Sequence, residues 1–169
     1  MRFNIGQLLK QSPGAVRHYT VEEDMSWLEP EVQGSSTLQG KISLLRTVNG
    51  ILCIGALTCQ VELACDRCLE PYSQEVAFTF EEEFHEAAQA LDDEDVEDPA
   101  LFLVEQNILD ASEVVRQNLL LALPIRSLCR ADCKGLCPSC GENRNVRTCD
   151  CPSDGGDPRW AALRKLREE

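Results

Sequence analysis

Eight of the ten cysteines lie at spacings typical of metal ligands. Six fall between Cys129 and Cys151, where successive cysteines are separated by three, three, two, eight and one residues, and two bound the turn Cys65-Asp66-Arg67-Cys68. Gly141 follows a second Cys-x-x-Cys pair and lets the backbone turn beneath the sulfur atoms without a side-chain clash. Because a structural zinc site uses four ligands, we predict two all-cysteine zinc sites. The predicted ligands are Cys65, Cys68, Cys129, Cys133, Cys137, Cys140, Cys149 and Cys151.

Two pairings of these eight ligands are open. In the first, the last four cysteines of the chain share one ion locally, and Cys65 and Cys68 meet Cys129 and Cys133 across the fold. In the second, the first four cysteines of the carboxyl-terminal run share one ion, and its last two join Cys65 and Cys68. We favour the first pairing, because the eight-residue loop that precedes Cys149 resembles part of a short zinc ribbon.

A disulfide framework is the competing interpretation of the same cysteines. The amino-terminal stretch MRFNIGQLLK has no apolar signal segment, and a chain of 169 residues can build a core without covalent cross-links. Metal binding is therefore favoured, and it predicts a soluble protein of the cytoplasm. A thioredoxin-type redox site is disfavoured, because Leu69-Glu70-Pro71 disfavours the helix that such a motif opens.

Charge is distributed unevenly along the chain. Residues 1–123 contain 7 Lys and Arg against 22 Asp and Glu, a net charge of −15, whereas residues 124–169 contain 9 against 7, a net charge of +2. We therefore expect no diffuse electrostatic binding of nucleic acid over most of the surface, because phosphate binding depends on Lys and Arg. If RNA is contacted, we expect the basic residues around the thiolates and near the carboxyl terminus to do so. They are Arg130, Lys134, Arg144, Arg147, Arg164 and Lys165.

The Cys65 pair is predicted to lie in a turn of an antiparallel β-meander. Strand-like runs at Leu38–Val48 and Ile51–Leu63 flank Asn49-Gly50, a dipeptide suited to a type I′ hairpin. A third strand follows Pro71, where apolar residues alternate with polar ones. In the second strand, Cys59 shares a face with Leu57, Val61 and Leu63, so we interpret it, and Cys53, as small apolar core residues.

Two helices are predicted beside this sheet. The first starts at Asp110, a candidate cap, with Glu113 at the third helical position, and runs to about Leu123 before Pro124. The second starts at Asp157-Pro158. Short strands are expected at residues 16–21 and 101–104.

The expected fold class is therefore α+β, an antiparallel β-meander with two flanking helices and a carboxyl-terminal cysteine-rich zinc module. We predict a sheet and helix domain over residues 1–128, and a zinc-binding module with the last helix over residues 129–169. Residues 92–98, DDEDVED, carry six carboxylates in seven positions, which predicts a solvated acidic linker at about residues 90–99.

No catalytic residue is predicted. His18 and His85 are the only histidines, and neither lies in a recognisable nucleophile or metal motif. An all-cysteine zinc site is coordinatively closed, so it serves structure and not hydrolysis. The sequence therefore predicts neither an enzyme nor a small-molecule substrate, and no run is long and apolar enough to cross a membrane.

Four motifs in this order resemble the YceD-like family of bacterial proteins named for accumulation of the large-subunit ribosomal RNA. They are CDRCLEP at Cys65–Pro71, CKGLCPSCGENRN at Cys133–Asn145, CDC at Cys149–Cys151 and DPRWAAL at Asp157–Leu163. The resemblance implies a non-enzymatic role in making or protecting the precursor of 23S ribosomal RNA during large-subunit assembly. Direct contact with that RNA is one possible mode. An adaptor, whose acidic sheet docks on a basic assembly factor or ribosomal protein without touching RNA, is the other.

Overall fold

The computed structural model of this chain describes residues 1–25, 37–86 and 102–151. The chain divides into two compact units. The first, the sheet unit, comprises Met1–Leu63 and Ser73–Ile125. The second, the cysteine unit, comprises Ala64–Tyr72 and Arg126–Glu169, so the Cys65 turn groups with the carboxyl-terminal cysteines.

The sheet has seven strands in the order β1-β7-β6-β5-β4-β3-β2. Most pairs are antiparallel, namely β1 with β7, β2 with β3, β3 with β4, and β6 with β7, whereas β5 and β6 are parallel. The predicted succession of three neighbouring strands is confirmed in β3, β4 and β5. The strands are β1 Arg2–Asn4, β2 Val16–Asp24, β3 Thr37–Arg46, β4 Gly50–Ala64, β5 Pro71–Glu86, β6 Phe102–Glu105 and β7 Ile108–Asp110.

Alternation of apolar residues along β4 builds the core of the sheet unit. Every second residue from Ile51 to Val61 is buried, including Cys53 and Cys59. Both cysteines are therefore core residues, as predicted, and burial, assisted by the nearby charge of Glu82, raises the pKa of the Cys53 thiol to about 12. Burial of each large apolar side chain on this face stabilises the folded state by roughly 1.5–3 kcal/mol.

The turn between β3 and β4 differs from the predicted type I′ turn. Such a turn needs a positive φ at Asn49 and Gly50, and neither residue has one. Instead Thr47 closes the turn, because its N–H donates to the Gly50 carbonyl at 3.0 Å and its Oγ1 accepts the Gly50 N–H at 2.8 Å. A Cβ atom on Gly50 would lie 2.1 Å from the carbonyl oxygen of Phe84. Glycine is required here by the neighbouring backbone and not by the turn.

A type I′ geometry occurs at the next hairpin. Gln106 and Asn107 join β6 to β7 and have φ angles of 50° and 64°. Two successive left-handed residues match the twist of the flanking strands, which explains the tight connection. The dipeptide lacks glycine, so its sequence carries little signal of this turn.

The described residues contain one helix, α1 at Ser112–Ala122, where the sequence predicts two helices along the whole chain. It begins one residue later than expected, because Ala111 occupies the cap position and Asp110 Oδ1 accepts the Ser112 N–H at 3.0 Å. Val114, Val115 and Leu119 form its buried face. The second predicted helix and the acidic linker lie outside the described residues, and no described helix could span a membrane.

In the cysteine unit, two loops with the pattern Cys-x-x-Cys-x-Glu have the same backbone hydrogen bonds. Cys65 N–H donates to the Glu70 carbonyl at 3.0 Å and Leu69 N–H to the Cys65 carbonyl at 2.8 Å. The loop at Cys137–Glu142 repeats both bonds, each at 2.8 Å. The residue after the second cysteine is left-handed in both loops, with φ of 60° at Leu69 and 74° at Gly141. The first loop thus holds a leucine where the second uses glycine.

Replacing Gly50 with alanine should destabilise the sheet unit by at least about 2–3 kcal/mol, because the new Cβ would collide with the Phe84 carbonyl. Asn49→Ala is the matched control and should change the free energy of unfolding by less than about 0.5 kcal/mol, since Asn49 is exposed and has no positive φ. Denaturant unfolding of both variants tests this. A larger loss of stability in Asn49→Ala than in Gly50→Ala would contradict this account and support the type I′ turn.

Leu69→Gly should stabilise the first loop by roughly 1 kcal/mol, because glycine adopts the left-handed conformation without the strain that leucine has there. The greater conformational entropy of glycine in the unfolded chain offsets only part of this gain. The Leu69 side chain is 66% exposed, so little packing is lost. Leu69→Ala keeps the Cβ and should bring no gain. Hydrogen-exchange protection of the Cys65 N–H measures the effect, and equal protection in the two variants would show that the leucine is not strained.

Candidate metal centre

The first cluster, called the first centre, consists of Cys65, Cys68, Cys129 and Cys133. Their sulfur atoms all lie within 4.8 Å of one another. Cys65 Sγ is 3.8 Å from Cys133 Sγ, and Cys68 Sγ is 3.7 Å from Cys129 Sγ. Four sulfurs placed tetrahedrally at about 2.3 Å from a zinc ion would be about 3.8 Å apart, so the donor set fits such an ion.

Four polar contacts bring the two halves of the first centre together. The Asp66 N–H donates to the Ser127 carbonyl at 2.8 Å, and the Asp66 carboxylate accepts the Ser127 N–H at 2.7 Å. Arg67 Nη1 donates to the Cys133 carbonyl at 2.7 Å, while the Arg67 carbonyl accepts the Leu136 N–H at 2.9 Å. The residues between the two cysteines of the turn therefore position the turn itself.

The first centre favours a thiolate at Cys65 and is shielded from water. Cys65, Cys68 and Cys133 are at most 4% exposed and pack beside Tyr72 and Leu128. The backbone N–H of Cys129 lowers the pKa of Cys65 to about 6, with further N–H donors in the turn outweighing the effect of burial. A thiolate is the form that binds a metal, so the backbone prepares this ligand before an ion arrives.

The second cluster, called the second centre, consists of Cys137, Cys140, Cys149 and Cys151. Their sulfur atoms also lie within 4.8 Å of one another. The backbone N–H groups of Cys140 and Ser139 lower the pKa of Cys137 to about 6. Cys137 is buried and Cys140 is exposed, so this centre is more open to solvent than the first.

The cysteines group as in the first predicted pairing and not as in the second. All ten cysteines are free thiols, and sulfur separations of 3.7 and 3.8 Å are far from the roughly 2.05 Å of a disulfide. Each centre could hold one metal ion. Four thiolates would complete a tetrahedral shell and leave no position for a reactive water, so a bound ion would supply cross-linking and not hydrolysis.

Four of the six predicted RNA-contacting residues lie in the described part of the cysteine unit. Lys134 and Arg144 are exposed. Arg130 donates to Asn145 Oδ1 at 2.7 Å and lies 3.5 Å from Asp132, and Arg147 lies 4.0 Å from Glu142. Internal contacts therefore engage two of these four side chains. Arg164 and Lys165 lie outside the described residues.

One further residue of this region contacts a centre, although the sequence does not predict it as part of a site. Asn145 Nδ2 lies 3.2 Å from Cys133 Sγ and donates a hydrogen bond to it. The only sequence signal is its position within the Cys140–Cys149 loop, and an asparagine in a loop is far more often a turn residue than a partner of a thiolate.

The family model described as "Large ribosomal RNA subunit accumulation protein YceD" matches residues 54–167, which is more than half of the chain. The matched range includes every cysteine of both centres. No solved structure matches the chain.

Three relatives illustrate the range of similarity. A protein of Arabidopsis thaliana named "Large ribosomal RNA subunit accumulation protein YCED homolog 1, chloroplastic" is 37% identical over 75 residues, which cover 44% of this chain and 23% of that protein. An uncharacterized protein of Mycobacterium tuberculosis is 33% identical over 117 residues, 68% of this chain and 54% of the relative. The "Uncharacterized protein YlbN" of Bacillus subtilis is 27% identical over 154 residues, 88% and 81% of the two chains.

The chain therefore spans about a quarter of the Arabidopsis protein and about half of the mycobacterial one. The family match and the motifs around the cysteines agree on one assignment. The chain belongs to the YceD family of large ribosomal RNA subunit accumulation proteins.

Proposed function

We propose that this protein is a non-enzymatic ribosome-biogenesis factor that supports accumulation or processing of the 23S ribosomal RNA precursor during large-subunit assembly. The observation that carries this proposal is the family match over residues 54–167, since the family is described by large ribosomal RNA subunit accumulation. We place its action in the bacterial cytoplasm, where ribosomal RNA is made and where thiols remain reduced.

In this proposal each centre holds one zinc ion, giving two per chain. Zinc suits the donor set, because four thiolates in a tetrahedral arrangement are typical of structural zinc sites. The ions would stabilise the cysteine unit rather than take part in a reaction. Structural zinc contributes on the order of 10–16 kcal/mol in small modules, which is comparable to the whole stability of a domain.

Direct RNA contact through exposed basic side chains of the cysteine unit is the mode of action that we favour. Lys134 lies next to a ligand of the first centre, and Arg144 lies in the loop closed by the second centre. Both side chains are exposed, so both can reach phosphate groups. A rigid, metal-bound scaffold would hold these two charges at a fixed separation, which favours structured RNA over a flexible polyanion.

The alternative is an adaptor that binds a basic assembly factor or ribosomal protein and does not touch RNA. Its support is the net charge of −15 on residues 1–123. In the sheet unit, Glu22 and Glu23 on β2 and Glu75 and Glu81 on β5 are exposed carboxylates. Such a surface repels phosphate and attracts basic proteins.

Ultraviolet crosslinking in cells, followed by identification of the bound RNA and protein, tests the proposal. We expect precursor 23S ribosomal RNA to be recovered, crosslinked to peptides from residues 126–151. The double variant Lys134→Ala, Arg144→Ala should weaken binding of purified protein to that RNA and reduce the slope of log K against log salt by about 2, one for each lost phosphate contact.

The matched control is Lys10→Ala with Lys41→Ala, which removes the same charge from exposed positions of the sheet unit. It should leave the salt slope unchanged. Recovery of a basic protein without RNA would replace direct contact with the adaptor. Recovery of neither would contradict a role in large-subunit assembly.

A further inference from the structure

The loop closed by the second centre lies against the first centre. Asn145 is near the middle of the residues between Cys140 and Cys149, and its Nδ2 donates to Cys133 Sγ at 3.2 Å. Cys133 is a ligand of the first centre, whereas Cys140 and Cys149 belong to the second. A side chain from the loop between two ligands of the second centre therefore contacts a sulfur atom of the first centre.

The hydrogen-bond partners of Asn145 determine which amide atom faces the sulfur. Its Oδ1 accepts the backbone N–H of Lys134 at 2.8 Å and Arg130 Nη2 at 2.7 Å. An amide oxygen accepts two hydrogen bonds, so both of its positions are used. Nδ2 is thereby directed at Cys133 Sγ and at Asn143 Oδ1, 2.9 Å away.

The Asn145 amide supplies an N–H donor to one sulfur ligand of the first centre. Cys133 Sγ is buried, with the whole residue only 2% exposed, so the Asn145 amide takes the place of water as a hydrogen-bond donor to this sulfur. The same bond holds the sulfur in one orientation. Partners of this kind orient metal ligands and tune their affinity.

Hydrogen bonds hold the backbone of the loop in place at Asn145 and at the residue before it. The Asn145 N–H donates to Asn143 Oδ1 at 3.0 Å, and the Arg144 N–H donates to the Gly135 carbonyl at 2.9 Å. An ion in the second centre would fix the two ends of the loop at Cys140 and Cys149. Less conformational entropy would then be lost when Asn145 binds Cys133.

We propose that Asn145 is a positioning residue through which metal in the second centre raises the metal affinity of the first. The proposal rests on the two metal centres proposed above. By thermodynamic linkage, metal in the first centre raises the affinity of the second by the same factor. The two centres therefore fill cooperatively, although they share no ligand.

Asn145→Asp in the full chain is the most selective test. Aspartate keeps an oxygen acceptor for Lys134 and Arg130 but places a carboxylate oxygen, without a donor, against Cys133. We expect zinc affinity at the first centre to fall about 10- to 100-fold. Val146→Ala is the control, because Val146 is adjacent in the same loop and its side chain is 81% exposed; its effect should stay within about twofold.

Affinity at the first centre is measured by competition with a zinc chelator, using alkylation of Cys68 and Cys129 detected by mass spectrometry as the signal of metal loss. A double-mutant cycle is completed in a chain that carries Cys140→Ser and Cys149→Ser and therefore lacks the second centre. These two changes should themselves lower the zinc affinity of the first centre. Adding Asn145→Asp should then lower that affinity by a smaller factor than it does in the intact chain.

An equal effect of Asn145→Asp in both backgrounds, or no effect in either, would overturn the coupling. Wild-type protein that binds fewer than two ions would instead contradict the metal centres themselves. Zinc bound by the wild type separates these two failures, because it is measured before any variant is compared.

Discussion

Close approach of four thiols is the constraint on which the cysteine unit depends. The sulfur atoms of each centre lie within 4.8 Å of one another. Two unit charges about 4 Å apart repel by about 4 kcal/mol at an effective dielectric constant of about 20, so four thiolates cannot share such a space alone. A divalent cation between the sulfur atoms attracts all four thiolates, and this attraction outweighs their mutual repulsion. In each centre, backbone N–H groups lower the pKa of one ligand, Cys65 or Cys137, to about 6.

The two centres differ in what they connect. In the first, Cys65 and Cys133 are 68 positions apart in the sequence, so an ion there would close a long chain segment and restrict the unfolded chain strongly. In the second, all four cysteines lie within Cys137–Cys151, and an ion would order a short segment. Asn145 connects the two centres, because it lies in the short loop of the second and donates a hydrogen bond to Cys133, a ligand of the first.

Local pattern predicts the features that depend on local chemistry. The alternation of apolar residues identifies Cys53 and Cys59 as core residues, and the cysteine spacing leads to the favoured grouping. The sequence-based predictions are wrong or incomplete where residues distant in the sequence determine the local conformation or contact. Asn49-Gly50 has the composition of a type I′ turn, but the carbonyl of Phe84 is the reason that Gly50 must be glycine. Similarly, nothing in the type of residue at position 145 indicates that its amide meets Cys133.

Zinc K-edge X-ray absorption on protein purified without chelator, combined with elemental analysis, tests the central claim most directly. We expect two zinc ions per chain, each surrounded by four sulfur atoms at about 2.3 Å and by no nitrogen or oxygen. Such a shell would show that each centre binds one zinc ion through its four thiolates. About one ion per chain, a shell containing nitrogen or oxygen, or cysteines joined in disulfides would contradict it.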